Sequence, residues 1–299
     1  MRRRLILPVL AVVFVGTASA ADTPAGPPPD AWRDVSPDNL VIIETRYGQV
    51  VVELAPDFAP GHVARMRKLL AAHFYDGKTF YRVIDGFVAQ GGADQDTSAT
   101  ADAPVNPQIL KDWPQLKAEF DGALPKTDTF TPLGNPDLQA PEVGFVNGFP
   151  VGYDPKDNRY WILHCPGTFA FARDNDPDTA TTEFYITIGQ TRRLDRELTA
   201  FGRVLSGMQY LQKLNRGDPD VDAGVIQDPS QRDPILQMTL AADMPAKDRP
   251  RYQVLKTDTP YFAQSVEKRR HPAPEFYPGL SLPNLDICSV PVPVRLVKP

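Results

Sequence analysis

The chain has 299 residues, 42% of them apolar and 23% charged, with a formal net charge of -5. This is ordinary globular composition, long enough for one large domain with additions or for two small ones. No basic stripe stands out, which argues against nucleic acid as a partner. Proline is the outlier at 32 residues, roughly twice the usual share of about 5%, and predicts extended connections with few long helices.

In chain order, residues 1–20 have the make-up of a processing signal. Arg2, Arg3 and Arg4 precede an apolar run from Leu5 to Val15, and Ala18-Ser19-Ala20 is a small-residue cleavage site. The run is shorter than the roughly 20 residues of a membrane span, and no later stretch is long enough. The expectation is a chain exported by the Sec route, cut after Ala20, periplasmic in a Gram-negative source and without a membrane span. Residues 21–37, rich in Pro, Ala and Gly, read as a flexible leader.

Residues 40–54 predict two strands around a turn at Tyr47-Gly48. Residues 57–74 switch to helical period, with Val63, Met66, Leu70 and Phe74 on one face, Asp57 as cap, Pro60 in the first turn and Asp76-Gly77 as the stop. Residues 79–92 predict strand, turn, strand. Residues 93–160, dense in Pro, Asp and Gly, predict a long irregular segment with one short helical turn in "LKAEFDGAL". Strand-like runs follow at 160–164, 168–172, 184–188 and 201–205, then a short amphipathic helix at 207–215 and an alternating run at 235–241. Residues 244–299 form a Pro-rich extension with short apolar runs. Many short strands and two helices predict an all-β closed antiparallel barrel rather than a layered α/β fold. The domain limits are expected at 38–243, with the insertion at 93–160 and an extension from 244 packed on the barrel.

Two cysteines, Cys165 and Cys288, are expected to pair in an oxidising compartment, two unpaired buried thiols being the alternative. No G-x-S-x-G, Walker loop, G-x-G-x-x-G, H-x-x-x-H or C-x-x-C is present, and the four histidines are scattered. That pattern argues against a metal hydrolase or a triad enzyme.

The positive signal lies in linked segments. "FYRVIDGFVAQGG" (80–92) resembles the cyclophilin motif of an arginine and a phenylalanine followed by Q-G-G. "GTFAFARDNDPDTATTEFYITIG" (167–189), "LD" (194–195) and "AFGRVLSGM" (200–208) resemble the second half of the same domain. The resemblance covers residues 40–92 and 167–242 and implies a cyclophilin-like barrel of about eight strands capped by two helices, with peptidyl-prolyl cis/trans isomerase activity. Such catalysis needs no nucleophile and no cofactor. It needs a donor aimed at the prolyl nitrogen, an apolar pocket for the ring, and groups that hold the flanking backbone.

The resemblance implies that Arg82 is the catalytic arginine and that Gln90 orients it. It implies that Phe87 floors the proline pocket, and that Val88, in place of methionine, Tyr185, in place of phenylalanine, and Leu194 line it. Ala172 lies in a segment that pairs with substrate backbone, and Arg173 replaces an asparagine there. Three departures mark the far wall. Glu183 stands for a glutamine and is expected to form an ion pair with Arg82 or Arg173. Arg193 stands for a tryptophan of many eukaryotic members, which predicts weak cyclosporin binding, and Leu198 stands for a histidine. Taken singly, Phe87, Val88, Tyr185 and Leu194 would read as barrel core and Arg82 as a surface strand residue. The expected partners are proline-containing unfolded or partly folded polypeptides. The rival reading is a peptide- or protein-binding module on the same barrel with little or no isomerase activity.

Overall fold

The computed structural model describes residues 26–93, 107–126, 128–272, 275 and 277–297. The expected processing signal and its cut after Ala20 lie outside these residues, as does part of the insertion, 94–106. The strands in chain order are β1 (Trp32–Asp34), β2 (Leu40–Thr45), β3 (Gly48–Leu54), β4 (Thr79–Val83), β5 (Val88–Gly92), β6 (Thr131–Pro132), β7 (Glu142–Val146) and β8 (Phe149–Asp154). They continue with β9 (Arg159–Ile162), β10 (Thr168–Phe171), β11 (Phe184–Thr187), β12 (Ala200–Ser206), β13 (Asp233–Leu240), β14 (Arg251–Leu255) and β15 (Val294–Val297). The helices are α1 (Pro60–Ala71), α2 (Pro107–Asp112), α3 (Met208–Leu211) and α4 (Pro260–Arg270). No described helix is long and apolar enough to cross a membrane.

Eight strands close a barrel in the order β10-β11-β5-β4-β13-β2-β3-β12, each paired antiparallel with its neighbours. The alternation along β2 and β3 places their side chains. Val41 faces Val52 and Ile43 faces Val50, and all four point into the barrel core. Leu40, Ile42 and Val51 point outward, where they pack with Tyr252 and Val254 of β14. Both faces of this hairpin are buried, which is why it is apolar almost throughout instead of alternating.

Helices α1 and α3 pack on the barrel. Val63, Met66, Leu69 and Leu70 of α1 enter the core. The helix is shorter than the periodicity implies, and Asp57 does not cap it. Its N-cap is Ala59, and the free amides of Gly61 and His62 donate instead to the Glu119 carboxylate at 3.0 and 2.9 Å. A carboxylate from 58 residues downstream satisfies the helix end better than a local side chain, because it faces two amides at once. The second helix is also shorter than the expected 207–215, with Met208–Leu211 as its α-helical part.

Three expectations outside the barrel are corrected. From Thr131 on, the insertion is not irregular: β6-β7-β8-β9 form a four-stranded antiparallel sheet. "LKAEFDGAL" holds no helix and bridges the barrel to the sheet in extended form, through Leu116 with Ala180 and Gly122 with Tyr160. The extension carries α4 and two strands, and β14 pairs with β1, so residues 32–34 of the leader are part of a sheet. A second apolar core unites these additions. It contains Ala31, Phe145, Trp161, Leu255, Phe262, Val266 and Ile287. Cys165, at the start of the segment entering β10, is disulfide-bonded to Cys288 in the extension.

Candidate active site

The β4–β5 hairpin and the neighbouring strand β11 form one side of a groove. Directly opposed residues of antiparallel strands share a face, and the register opposes Arg82 to Gln90 and Gln90 to Tyr185. These three side chains therefore share a face, whereas Phe184 and Ile186, one step along β11, enter the barrel core. The hairpin turn Asp85-Gly86 then delivers Phe87 to the groove edge. Gly86 has φ 66°, which a residue with a side chain rarely adopts.

The other side comes from the segment after β10 and the turn at Arg192–Leu194. The Ala172 amide donates to the Glu183 carbonyl at 2.8 Å, continuing the β10–β11 ladder to the groove rim. Together these elements enclose a cavity of about 250 Å³ lined by Arg82, Phe87, Val88, Gln90, Ala172, Arg173, Asp174, Thr179, Thr181, Glu183, Tyr185, Leu194 and Leu198. All ten groove residues expected from sequence line this one cavity. Asp174, Thr179 and Thr181 were not anticipated, although they sit inside the 167–189 motif.

Gln90 holds the arginine. Its amide nitrogen donates to the Tyr81 hydroxyl at 2.6 Å, which turns its carbonyl oxygen toward Arg82 Nη1 at 3.0 Å. Arg82 Nε donates to the Ala223 carbonyl at 2.7 Å. The guanidinium carbon lies 5.7 Å from the centre of the Phe87 ring, and that of Arg193 lies 4.4 Å from it. Phe87 is half-buried, while Val88 and Tyr185 are buried. Val88 and Tyr185 share an apolar cluster with Val146, Phe149, Val151 and Ile162, so the inserted sheet backs this wall of the groove.

The ion pair expected of Glu183 gives way to other partners. Its carboxylate accepts from the Ala93 amide at 2.7 Å and from the Thr182 hydroxyl at 3.0 Å. Arg173 instead turns to Glu197, whose carbonyl accepts from Nε at 2.9 Å and whose carboxylate lies 3.7 Å from Nη2. The reason is local. A Cβ at Gly92 would collide with the Glu183 carboxylate, so the second glycine of Q-G-G makes room for that carboxylate beside the β5 backbone.

Tyr185 introduces a hydroxyl into an apolar wall, and a buried phenol needs a hydrogen-bond partner. The partner is His164, whose Nε2 lies 2.9 Å from the Tyr185 oxygen. His164 Nδ1 lies 3.2 Å from Asp195 Oδ1. Burial pushes the Tyr185 phenol far above its ordinary range, and the Asp195 charge adds to this. His164 had no visible role in the sequence, because its partners are 21 and 31 residues away; only the adjacent "LD" motif marked Asp195.

Comparison with known proteins agrees with this geometry. Residues 40–240 match the family model described as "Cyclophilin type peptidyl-prolyl cis-trans isomerase/CLD". A "Probable peptidyl-prolyl cis-trans isomerase" of Brucella suis is 29% identical over 236 residues, covering 78% of this chain and 91% of its own. "Peptidyl-prolyl cis-trans isomerase B" of Bacillus subtilis is 28% identical over 170 residues, covering 57% and 85%. Among solved structures, the cyclophilin AquaCyp293 from Hirschia baltica superposes with a TM-score of 0.70 and 31% identity, covering 89% of this chain and 93% of its own. That coverage extends beyond the barrel into the additions. The chain belongs to the cyclophilin-type peptidyl-prolyl cis-trans isomerases.

Proposed function

We propose that this isomerase acts on X-Pro bonds of unfolded or partly folded polypeptides in the periplasm and so assists their folding. The observation that carries the reading is the Gln90-oriented guanidinium of Arg82 at the edge of a cavity floored by Phe87. Rotation about an X-Pro bond is slow because amide resonance imposes a barrier of about 18–20 kcal/mol. As the bond twists, the nitrogen lone pair is released and becomes an acceptor. A permanently charged guanidinium held on one axis stabilises that twisted state more than the planar ground state. The proline ring then rests on Phe87 between Val88, Tyr185 and Leu194, with substrate backbone along Ala172 and Arg173. No covalent intermediate and no cofactor enters this scheme.

The periplasmic assignment is supported by the N-terminal segment and by the Cys165–Cys288 bond, which suits an oxidising compartment. N-terminal sequencing of exported protein tests it; a start at Ala21 is expected, and retention of Met1 contradicts it. The catalytic role is tested by a proline-peptide isomerisation assay on wild type and Arg82→Ala. The expected fall in kcat/KM is about a hundredfold, the loss typical of one preorganised donor. Equal rates for the two proteins would remove Arg82 from the mechanism, and little or no activity in wild type would favour the binding-module reading.

A further inference from the structure

The segment between the groove and the inserted sheet holds a continuous chain of polar side chains. Tyr185, in the groove wall, meets His164 Nε2 at 2.9 Å. His164, fully buried, meets Asp195 Oδ1 through Nδ1 at 3.2 Å, and its own amide donates to the same oxygen at 2.7 Å. The other Asp195 oxygen accepts from Arg192 Nε. Arg192 then makes a two-pronged contact with Asp137, Nη2 to Oδ1 at 3.0 Å and Nη1 to Oδ2 at 3.2 Å. Asp137 lies in the β6–β7 connection of the inserted sheet, where the amides of Gln139 and Ala140 fix its carboxylate at 2.9 Å each. Arg192 and Asp195 are each at least nine-tenths buried and Asp137 nearly so.

We infer that His164 is a positioning residue for the isomerase, holding the Tyr185 ring as a wall of the proline pocket, and that its own placement is set by the inserted sheet through Asp195, Arg192 and Asp137. The inference rests on reading the groove as the isomerase site.

The chemistry of the chain has a direction. Asp195 only accepts, so His164 carries a proton on Nδ1, and in the neutral ring this leaves Nε2 as an acceptor. Nε2 then accepts from the Tyr185 hydroxyl, whose proton is kept by burial. A phenol without this acceptor would either leave a buried donor unsatisfied or swing its ring to find another partner. Either change alters a wall that has to fit a proline ring. The same chain steadies the Arg192–Leu194 turn, whose C-cap is Asp195. Leu194 from this turn lines the cavity and Arg193 covers the Phe87 ring. The inserted sheet thus reaches two sides of the pocket, by the polar chain and by the apolar backing of Tyr185.

The experiment is a double-mutant cycle on isomerase activity with His164→Ala, His164→Gln, Tyr185→Phe and the double variant His164→Ala/Tyr185→Phe. His164→Ala is expected to lower kcat/KM about tenfold, mainly through KM, an effect within the range of coupling between contacting residues. His164→Gln, whose carbonyl oxygen replaces Nε2 as acceptor, is expected to recover most of that loss. In the Tyr185→Phe background, where no hydroxyl remains to be held, His164→Ala is expected to cost nothing further. Equal costs in both backgrounds, or a glutamine no better than alanine, would overturn the inference. Should His164→Ala fail to fold, Asp137→Asn tests the far end of the chain: a raised KM at unchanged folding supports the coupling, and wild-type kinetics overturn it. Ring nitrogen shifts of His164 supply a readout independent of activity. Protonated Nδ1 with unprotonated Nε2 is expected, and a protonated Nε2, in the opposite tautomer or in the imidazolium, refutes the chain even if the isomerase reading stands. Absence of isomerase activity in wild type would refute that reading and leave the tautomer result to be judged on its own.

Discussion

In the barrel, three of the eight pairings are between consecutive strands, β2 with β3, β4 with β5 and β10 with β11, and the other five close the barrel between strands that are not consecutive. The second core is assembled from four separate stretches of chain, all outside the barrel strands. It takes Ala31 from the leader, Phe145 and Trp161 from the inserted sheet, Phe262 and Val266 from α4, and Ile287 from the extension. Each of its parts is too small to bury its own apolar face. Ordering contacts this distant in sequence costs more loop-closure entropy than closing a hairpin, and here a disulfide across 123 residues joins two of the segments. The two regions divide the work. The barrel carries the groove, and the second core, through the inserted sheet, backs one wall of it.

The sharpest break of this comparison is Phe262→Ala. Phe262 is 1% exposed and packs edge-on against Phe145 at 5.1 Å, and its truncation is expected to cost about 3–5 kcal/mol. Hydrogen exchange is expected to rise across 142–162 and 251–270 while β2 and β3 stay protected. Equal loss in both regions would show a single cooperative unit and end the distinction. Cys288→Ser is expected to cost about 2–4 kcal/mol by releasing a long loop in the unfolded chain. The expected loss appears as a lower Tm, with increased exchange confined to the same segments; a wild-type Tm would show that packing alone holds the extension.

The smallest effect concerns the arm that crosses from the barrel to the sheet. Burial works to raise the Glu119 carboxyl, but the His62 ring and the Gly61 and His62 amides outweigh it and hold the group below the usual glutamate range. A depressed folded pKa means that the stabilisation is present above the ordinary value of about 4.3 and is lost as pH falls through the lowered one. Glu119→Ala is expected to cost about 1–2 kcal/mol, the value of a helix N-cap. Protection of the Gly61 and His62 amides, relative to the intrinsic exchange rate at each pH, should fall on acidification in wild type and be low at every pH in the variant. Amides that stay equally protected in both proteins would show that Glu119 does not cap α1.

The barrel and its groove were legible because their signals are local. The β2–β3 hairpin, the α1 face and the Arg82 to Gly92 run each lie within a few turns of chain, and strand register then fixes which side chains face the groove. One local signal also marks the inserted sheet. Asn147-Gly148, with φ of 50° and 83°, joins Val146 to Phe149, and an Asn-Gly pair between apolar runs is a strong hairpin mark. Gly144, Pro150 and Gly152 broke the alternation that would have announced β7 and β8. By itself, then, the sequence determined the barrel and ten residues that line one cavity. Only the tertiary structure decided the rest. It brought Glu119 to α1, turned Glu183 to Ala93 and not to an arginine, and set His164 between Tyr185 and Asp195. These are contacts between segments distant in sequence, chosen by packing and by the need of each buried polar atom for a partner, and neither constraint leaves a periodic trace along the chain.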